Sequence, residues 1–171
     1  MMNTFMGTNL RRLRSLPIVS IANGHGFVLG GATEMYASCD IRAAKKGTKI
    51  GFVQARMGIS PGWAGASRIV EAIGRAKAIE VLAASSTFSA DDAKAMGFVD
   101  FLYDERDEFE KYLSRFSKNS VGAIRSCKEM INAVCEAHSM EDKHMVERDV
   151  FIQVWGGPDN MAALSKNIKH K

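Results

Sequence analysis

Glu34 stands three positions after a glycine pair in Gly26-Phe27-Val28-Leu29-Gly30-Gly31-Ala32-Thr33-Glu34, and no other segment is as well suited to chemistry. Paired glycines let the backbone approach a ligand closely and take unusual torsions. The first N–H groups of a helix have no acceptor inside it. Such donors can hold a phosphate or a developing oxyanion. With a helix opening here, Glu34 falls one turn inside it, near enough to exchange a proton with a bound group. A tight strand-to-helix crossing with a solvated glutamate would use the same residues.

Other glycine-loop chemistries fail on spacing. No lysine follows Gly31, as a P-loop would need, and Gly24, Gly26 and Gly30 are one residue off the dinucleotide pattern. His25 beside the loop reads as a structural or solvent-facing histidine. Cys39, Cys127 and Cys135 are odd in number and form no CxxC. That disfavours a disulfide scaffold or a zinc ribbon and fits a reducing compartment. No ligand cluster has metal spacing, so neither a metal nor an organic cofactor is expected.

The elements that must position the loop follow from periodicity. Met2, Phe5, Met6, Leu10 and Leu13 recur at helical spacing. Pro17 stops that helix, and Ile18, Val19 and Ile21 predict a buried strand broken by Gly24 and Gly26. Lys45-Lys46-Gly47 reads as a turn between two short strands. A helical pattern runs from Ile69 to Leu82 around Gly74. Ser89 and Asp92 form a capping-box pair with Gly97 as the terminator, and Phe98–Leu102 predicts one more strand. Val121 to Val134 and Val146 to Trp155 predict two helices, stopped by Gly156-Gly157-Pro158. A last basic helix is expected to carry Lys166, Lys169 and Lys171.

The chain has 171 residues, 46% of them apolar, with a net charge of +4. That is room for one α/β domain with a sizeable core. The pattern divides it into a core over 1–120 and a helical packing or oligomerisation region over 121–171. Acids and bases are interleaved without a dense basic tract, so no nucleic-acid partner is expected. Arg11, Arg12 and Arg14 before an apolar run mimic a targeting peptide. The stretch from Ser15 to Thr33 lacks charged residues for 19 positions. Its proline, asparagine and glycines make it a poor membrane span, and no membrane partner is expected.

Several segments in fixed order carry a resemblance. They are Pro17-Ile18-Val19-Ser20-Ile21-Ala22, Gly26 with Leu29-Gly30-Gly31-Ala32 and Glu34, and Cys39-Asp40-Ile41-Arg42. The order continues through Gly58-Ile59-Ser60-Pro61-Gly62-Trp63-Ala64-Gly65-Ala66-Ser67-Arg68-Ile69 and Ser89-Ala90 with Ala93 and Met96-Gly97-Phe98-Val99. Together they resemble the crotonase (enoyl-CoA hydratase/isomerase) superfamily. Glu147-Arg148-Asp149 and Val154-Trp155-Gly156-Gly157-Pro158 with Asn160 resemble its branch that decarboxylates short malonyl-type CoA thioesters.

The resemblance implies a crotonase-like fold and an acyl-CoA substrate whose thioester carbonyl is held by two backbone N–H groups as it becomes an enolate. Gly31 supplies one donor and Glu34 takes the place of the first catalytic glutamate. The second hydratase glutamate falls at position 54, where this chain has Gln54. A neutral amide is no general base near neutral pH, so decarboxylation of ethylmalonyl-CoA or methylmalonyl-CoA is expected over hydration. Leu29, Gly30, Pro61, Gly62 and Trp63 would line the acyl site, unless Trp63 is an ordinary core or interface tryptophan. Lys166 and Lys169 would approach the CoA phosphates or form a solvated basic end. The resemblance also implies a homo-oligomer, a trimer or hexamer, and a cytosolic location, with a mitochondrial one as the alternative. The family's first strands, which carry the other oxyanion donor, are absent from the sequence, so an N-terminally incomplete member is expected. An incomplete member could serve as a non-catalytic partner of full-length subunits. Other hydratase or isomerase chemistry is the remaining alternative.

Overall fold

The computed structural model describes residues 2–166. The chain forms two compact units: residues up to Leu16 with Ser20–Glu110, and Pro17–Val19 with residues from Lys111 onward.

The first unit opens with helix α1 (Met2–Ser15), whose Leu10 is buried. Strand β1 (Ile21–Gly24) pairs in parallel with β3 (Ile41–Lys45), and β3 pairs in parallel with β6 (Phe101–Tyr103). A second sheet holds β2 (Phe27–Leu29), parallel to β4 (Lys49–Gly51), which pairs antiparallel with β5 (Thr87–Ser89). The chain steps from the first sheet to the second twice, at positive-φ Gly26 and at positive-φ Gly47. The Lys45-Lys46-Gly47 turn is therefore present, yet the strands on either side of it belong to different sheets.

Helix α2 (Gly31–Ala37) follows β2 and is bolted to both sheets by side chains. Thr33 Oγ1 lies 2.7 Å from the Val28 carbonyl and 2.8 Å from that of Gly51, its single hydrogen shared between them. Tyr36 donates its phenol to the Ala43 carbonyl at 2.9 Å, and burial pushes that phenol up from its ordinary pKa. After β4 come a 3-10 turn (Gln54–Met57), α3 (Gly65–Ile73) and α4 (Arg75–Ala84), with Gly74 between the helices at φ 76°. The Arg14 guanidinium pairs with Glu71 at 2.9 Å and links α1 to α3. Phe98 is fully buried, its ring 5.8 Å from Phe52, 6.0 Å from Tyr36 and 6.3 Å from Phe88. Those rings, with Ile50, Ile69 and Val99, form the core behind α2.

Three predicted elements are displaced. The strand expected over Ile18 to Ile21 begins only at Ile21, because Ser20 turns its N–H and hydroxyl to Asp40 Oδ2, both at 2.8 Å. The strand expected from Phe98 begins at Phe101. The Phe98 and Val99 N–H groups instead close the end of α5 (Ala90–Ala95) by donating to the Ala93 carbonyl at 2.8 and 3.0 Å. Strand β2 lies inside the segment read as a glycine loop.

In the second unit α7 (Val121–Glu136) packs on α8 (Met140–Val154), and α9 (Pro158–Ser165) follows. Of the lysines expected on a last basic helix, Lys166 is the cap of α9, and Lys169 and Lys171 lie outside the described residues. Helix α6 (Arg106–Leu113) leads out of the first unit. Among the described residues no helix is long and apolar enough to cross a membrane.

The capping box at the start of α5 is complete, with Asp92 N–H donating to Ser89 Oγ at 3.1 Å and Ser89 N–H to Asp92 Oδ2 at 3.2 Å. The Ser89 hydroxyl, then its N–H, hold the Asp92 carboxyl below its usual pKa. A carboxyl depressed in the folded state stabilises the fold above its unfolded pKa of about 3.9 and loses that contribution as pH falls through the folded value. Ser89→Ala is predicted to lose about 1 kcal/mol at neutral pH, or about 2–4 °C in Tm. Asp92→Asn should also melt lower than the wild type at pH 7, with the gap closing in thermal scans as the pH is brought below the folded value.

Candidate active site

Glu34 is 2% exposed, and both its oxygens are enclosed by donors. Oε1 accepts from Gln54 Nε2 at 2.9 Å and from the Gly62 N–H at 3.2 Å. Oε2 accepts from the Trp63 N–H at 2.6 Å and the Gly65 N–H at 3.0 Å. Three of the four donors are backbone amides from the segment that leads into α3. They converge where the helix dipole also favours negative charge.

The local sequence explains the wrap. Pro61-Gly62 opens the segment, and Ala64 takes φ 71°, a left-handed conformation that costs a non-glycine residue about 1 kcal/mol or more. This kink between Trp63 and Gly65 lets both N–H groups point to one oxygen. Gly65 is required by proximity: a Cβ there would sit 2.6 Å from Glu34 Cγ and 2.8 Å from Oε2. Gln54 is brought up by β4, whose Gly51 carbonyl accepts the Gly30 N–H at 3.0 Å. One Nε2 hydrogen of Gln54 is committed to Glu34, and Oε1 is buried with no partner among the described residues.

The glycine pair is divided in its duties. Gly30, at φ 59°, caps α2 and uses its N–H on β4. Among the described residues no acceptor faces the Gly31 and Ala32 N–H groups, the first two donors of α2. The six-membered ring of Trp63 lies against Gly31, in the space where a Cβ would be. The arrangement can therefore offer backbone N–H groups to a developing oxyanion beside the six-membered ring of an indole.

Gly30, Gly31, Glu34, Gln54, Gly62 and Trp63 thus come together in the first unit, with half-buried Leu29 on β2 and half-buried Pro61 alongside in sequence. Lys166 is exposed after α9 in the second unit, and Lys169 is outside the described residues. His25 is exposed, and Cys39 is half-buried with its thiol 3.9 Å from the Met35 carbonyl. Among the described residues no group of His, Cys, Asp or Glu side chains could hold a metal ion. Sequence reasoning missed Gly65 and Ala64 as parts of the site. Their signal was the second glycine of Gly62-Trp63-Ala64-Gly65 directly before a helical pattern.

The enoyl-CoA hydratase/isomerase family model matches residues 3–157 of the chain. The chain belongs to that family, the crotonases. Among curated relatives this crotonase is 35% identical to ethylmalonyl-CoA decarboxylase of Bos taurus over 96% of its own length and 56% of the relative's. It is 35% identical to the Xenopus tropicalis ethylmalonyl-CoA decarboxylase over 100% of its own length and 58% of the relative's. It therefore spans just over half of the curated relatives it matches. The crystal structure of enoyl-CoA hydratase from Thermoplasma volcanium superposes with a TM-score of 0.90 at 26% identity, covering 98% of this chain and 67% of that one.

The packing of Trp63 on Gly31 has a direct test. Gly31→Ala overfills that contact and is predicted to cost about 1–3 kcal/mol. In a Trp63→Leu background the same change should cost far less, as measured by chemical denaturation of the four proteins of the cycle. Strictly additive costs would mean that the ring and Gly31 do not touch.

Proposed function

We propose that this crotonase is the core of an acyl-CoA decarboxylase acting on ethylmalonyl-CoA and methylmalonyl-CoA. One observation carries the reading: the side chain facing Glu34 is the amide of Gln54, donating to Oε1 at 2.9 Å. Hydration calls for carboxyl groups that activate water and return a proton. An amide has no proton-accepting role near neutral pH, so the pair cannot work as two cooperating acids and bases. The names of the curated relatives support the same choice.

Decarboxylation asks less of the side chains. The bond between the α-carbon and the carboxylate breaks and carbon dioxide leaves. The electron pair moves into the thioester, whose oxygen becomes an enolate held by the Gly31 N–H. One proton then adds to the α-carbon, so ethylmalonyl-CoA plus a proton gives butyryl-CoA and carbon dioxide. The second Nε2 hydrogen of Gln54 is left for the substrate carboxylate, which a glutamate at that position would repel. The indole of Trp63 borders the α-substituent. Removing one oxyanion donor lowers such rates by about 10²–10³, so a second N–H donor beside that of Gly31 belongs to the proposal. Exposed Ile131, Phe151, Ile152 and Trp155 on α7, α8 and the α8 cap suit packing against further copies.

The test is carbon dioxide release from ethylmalonyl-CoA and methylmalonyl-CoA beside hydration of crotonyl-CoA. Release with negligible hydration is expected, while efficient hydration with ethylmalonyl-CoA left untouched refutes the proposal. Gln54→Glu places a second carboxyl against Glu34, where two like charges cannot both be accommodated. It is predicted to lower release at least tenfold and to lower Tm.

A further inference from the structure

We infer that Glu34 is a positioning residue: its carboxylate holds the Gly62–Gly65 segment so that the Trp63 indole stands against Gly31, and the proton that replaces carbon dioxide is taken from water. The inference deepens the decarboxylase reading and rests on it for the step it assigns.

Geometry carries the argument. A group that hands a proton to carbon must present an O–H or an open lone pair to the substrate. Glu34 presents neither. Its two oxygens already accept from Gln54, Gly62, Trp63 and Gly65 at 2.6 to 3.2 Å, and its side chain is closed off from solvent. Each of their hydrogen-bond partners among the described residues is a donor, so none of these partners is placed to receive a proton from them. The bonds do fix something else. Trp63 is gripped by its own N–H, with the bonded Gly62 before it and the left-handed Ala64 and bonded Gly65 after it. That grip determines where the indole lies, and it lies on Gly31. Asn3 of α1 brings its Nδ2 to 3.5 Å from where a Cβ on Gly62 would be.

The proton balance is consistent with this division. Decarboxylation consumes one proton per turnover. After carbon dioxide has left, a water molecule that enters with the substrate gives a proton to the α-carbon. The hydroxide it leaves takes up a proton from bulk solvent, so that one solvent proton is consumed overall. No general acid on the chain is then required, whereas a misplaced indole would open the wall of the acyl site.

The chain has two tryptophans, so a Trp155→Phe background leaves Trp63 as the single reporter. Glu34→Gln in that background replaces one accepting oxygen by an NH₂ group that faces donors. The expected result is a red shift of Trp63 emission and at least a tenfold loss of affinity for butyryl-CoA, the probe used in the titration. Unchanged emission and affinity, with turnover down a hundredfold or more, would overturn the inference and make Glu34 the proton donor. Should circular dichroism show Glu34→Gln to be unfolded, Trp63→Leu decides by the same titration. Weakened butyryl-CoA binding supports the inference, and unaltered binding overturns it. Emission and binding are read without turnover, so a wild-type chain that releases no carbon dioxide would sink the decarboxylase reading while leaving the positioning role intact.

Discussion

A carboxylate buried under four donors is the constraint on which this site depends. A buried ionisable side chain is tolerated only where hydrogen bonds replace the water it has lost. Glu34 obtains that replacement from the backbone of one short segment and from one amide. The converse holds as well. The Gly62, Trp63 and Gly65 N–H groups precede or open a helix and have no backbone acceptor among the described residues, so Glu34 satisfies them. Each side of the arrangement would be unstable without the other, and the strain at Ala64 is held in place by both.

The rest of the first unit reads as the means of bringing these partners together. Parallel pairing of β2 with β4 sets the glycine pair beside Gly51, and the Gly30 and Thr33 bonds to the Gly51 carbonyl fix the start of α2. Gln54 follows three residues later, so its distance from Glu34 is set by β4. The aromatic cluster around Phe98 supports α2 from behind through Tyr36. Local stability at the site therefore derives from a core that makes none of the hydrogen bonds to the Glu34 carboxylate.

Much of this was legible in the sequence, for identifiable reasons. Glycines at 30 and 31, Ser89 with Asp92, and Gly74 and Gly97 are punctuation with a local cause, and the structure uses them as such. The family follows from an ordered set of such segments. The split of the strands around Gly47 into two sheets was not legible, because pairing partners are set by tertiary contacts. The strand starts at Ile21 and Phe101 were hidden by side-chain and helix-end hydrogen bonds that no periodicity records. The sequence placed Glu34 one turn into a helix and offered it as a proton carrier. Only coordinates reveal that a segment about thirty residues away closes over it. Gly65 is a residue whose importance is purely steric, and a sequence marks such a position only as one more glycine.

Amide hydrogen exchange, resolved residue by residue by NMR, tests the central interaction most directly. Among the described residues the Trp63 and Gly65 N–H groups have no acceptor other than the Glu34 carboxylate, and the Ala64 N–H between them has none. The account predicts slow exchange at Trp63 and Gly65, comparable with buried Ile69 in α3, and fast exchange at Ala64. Equal, loop-like exchange at all three positions would contradict it.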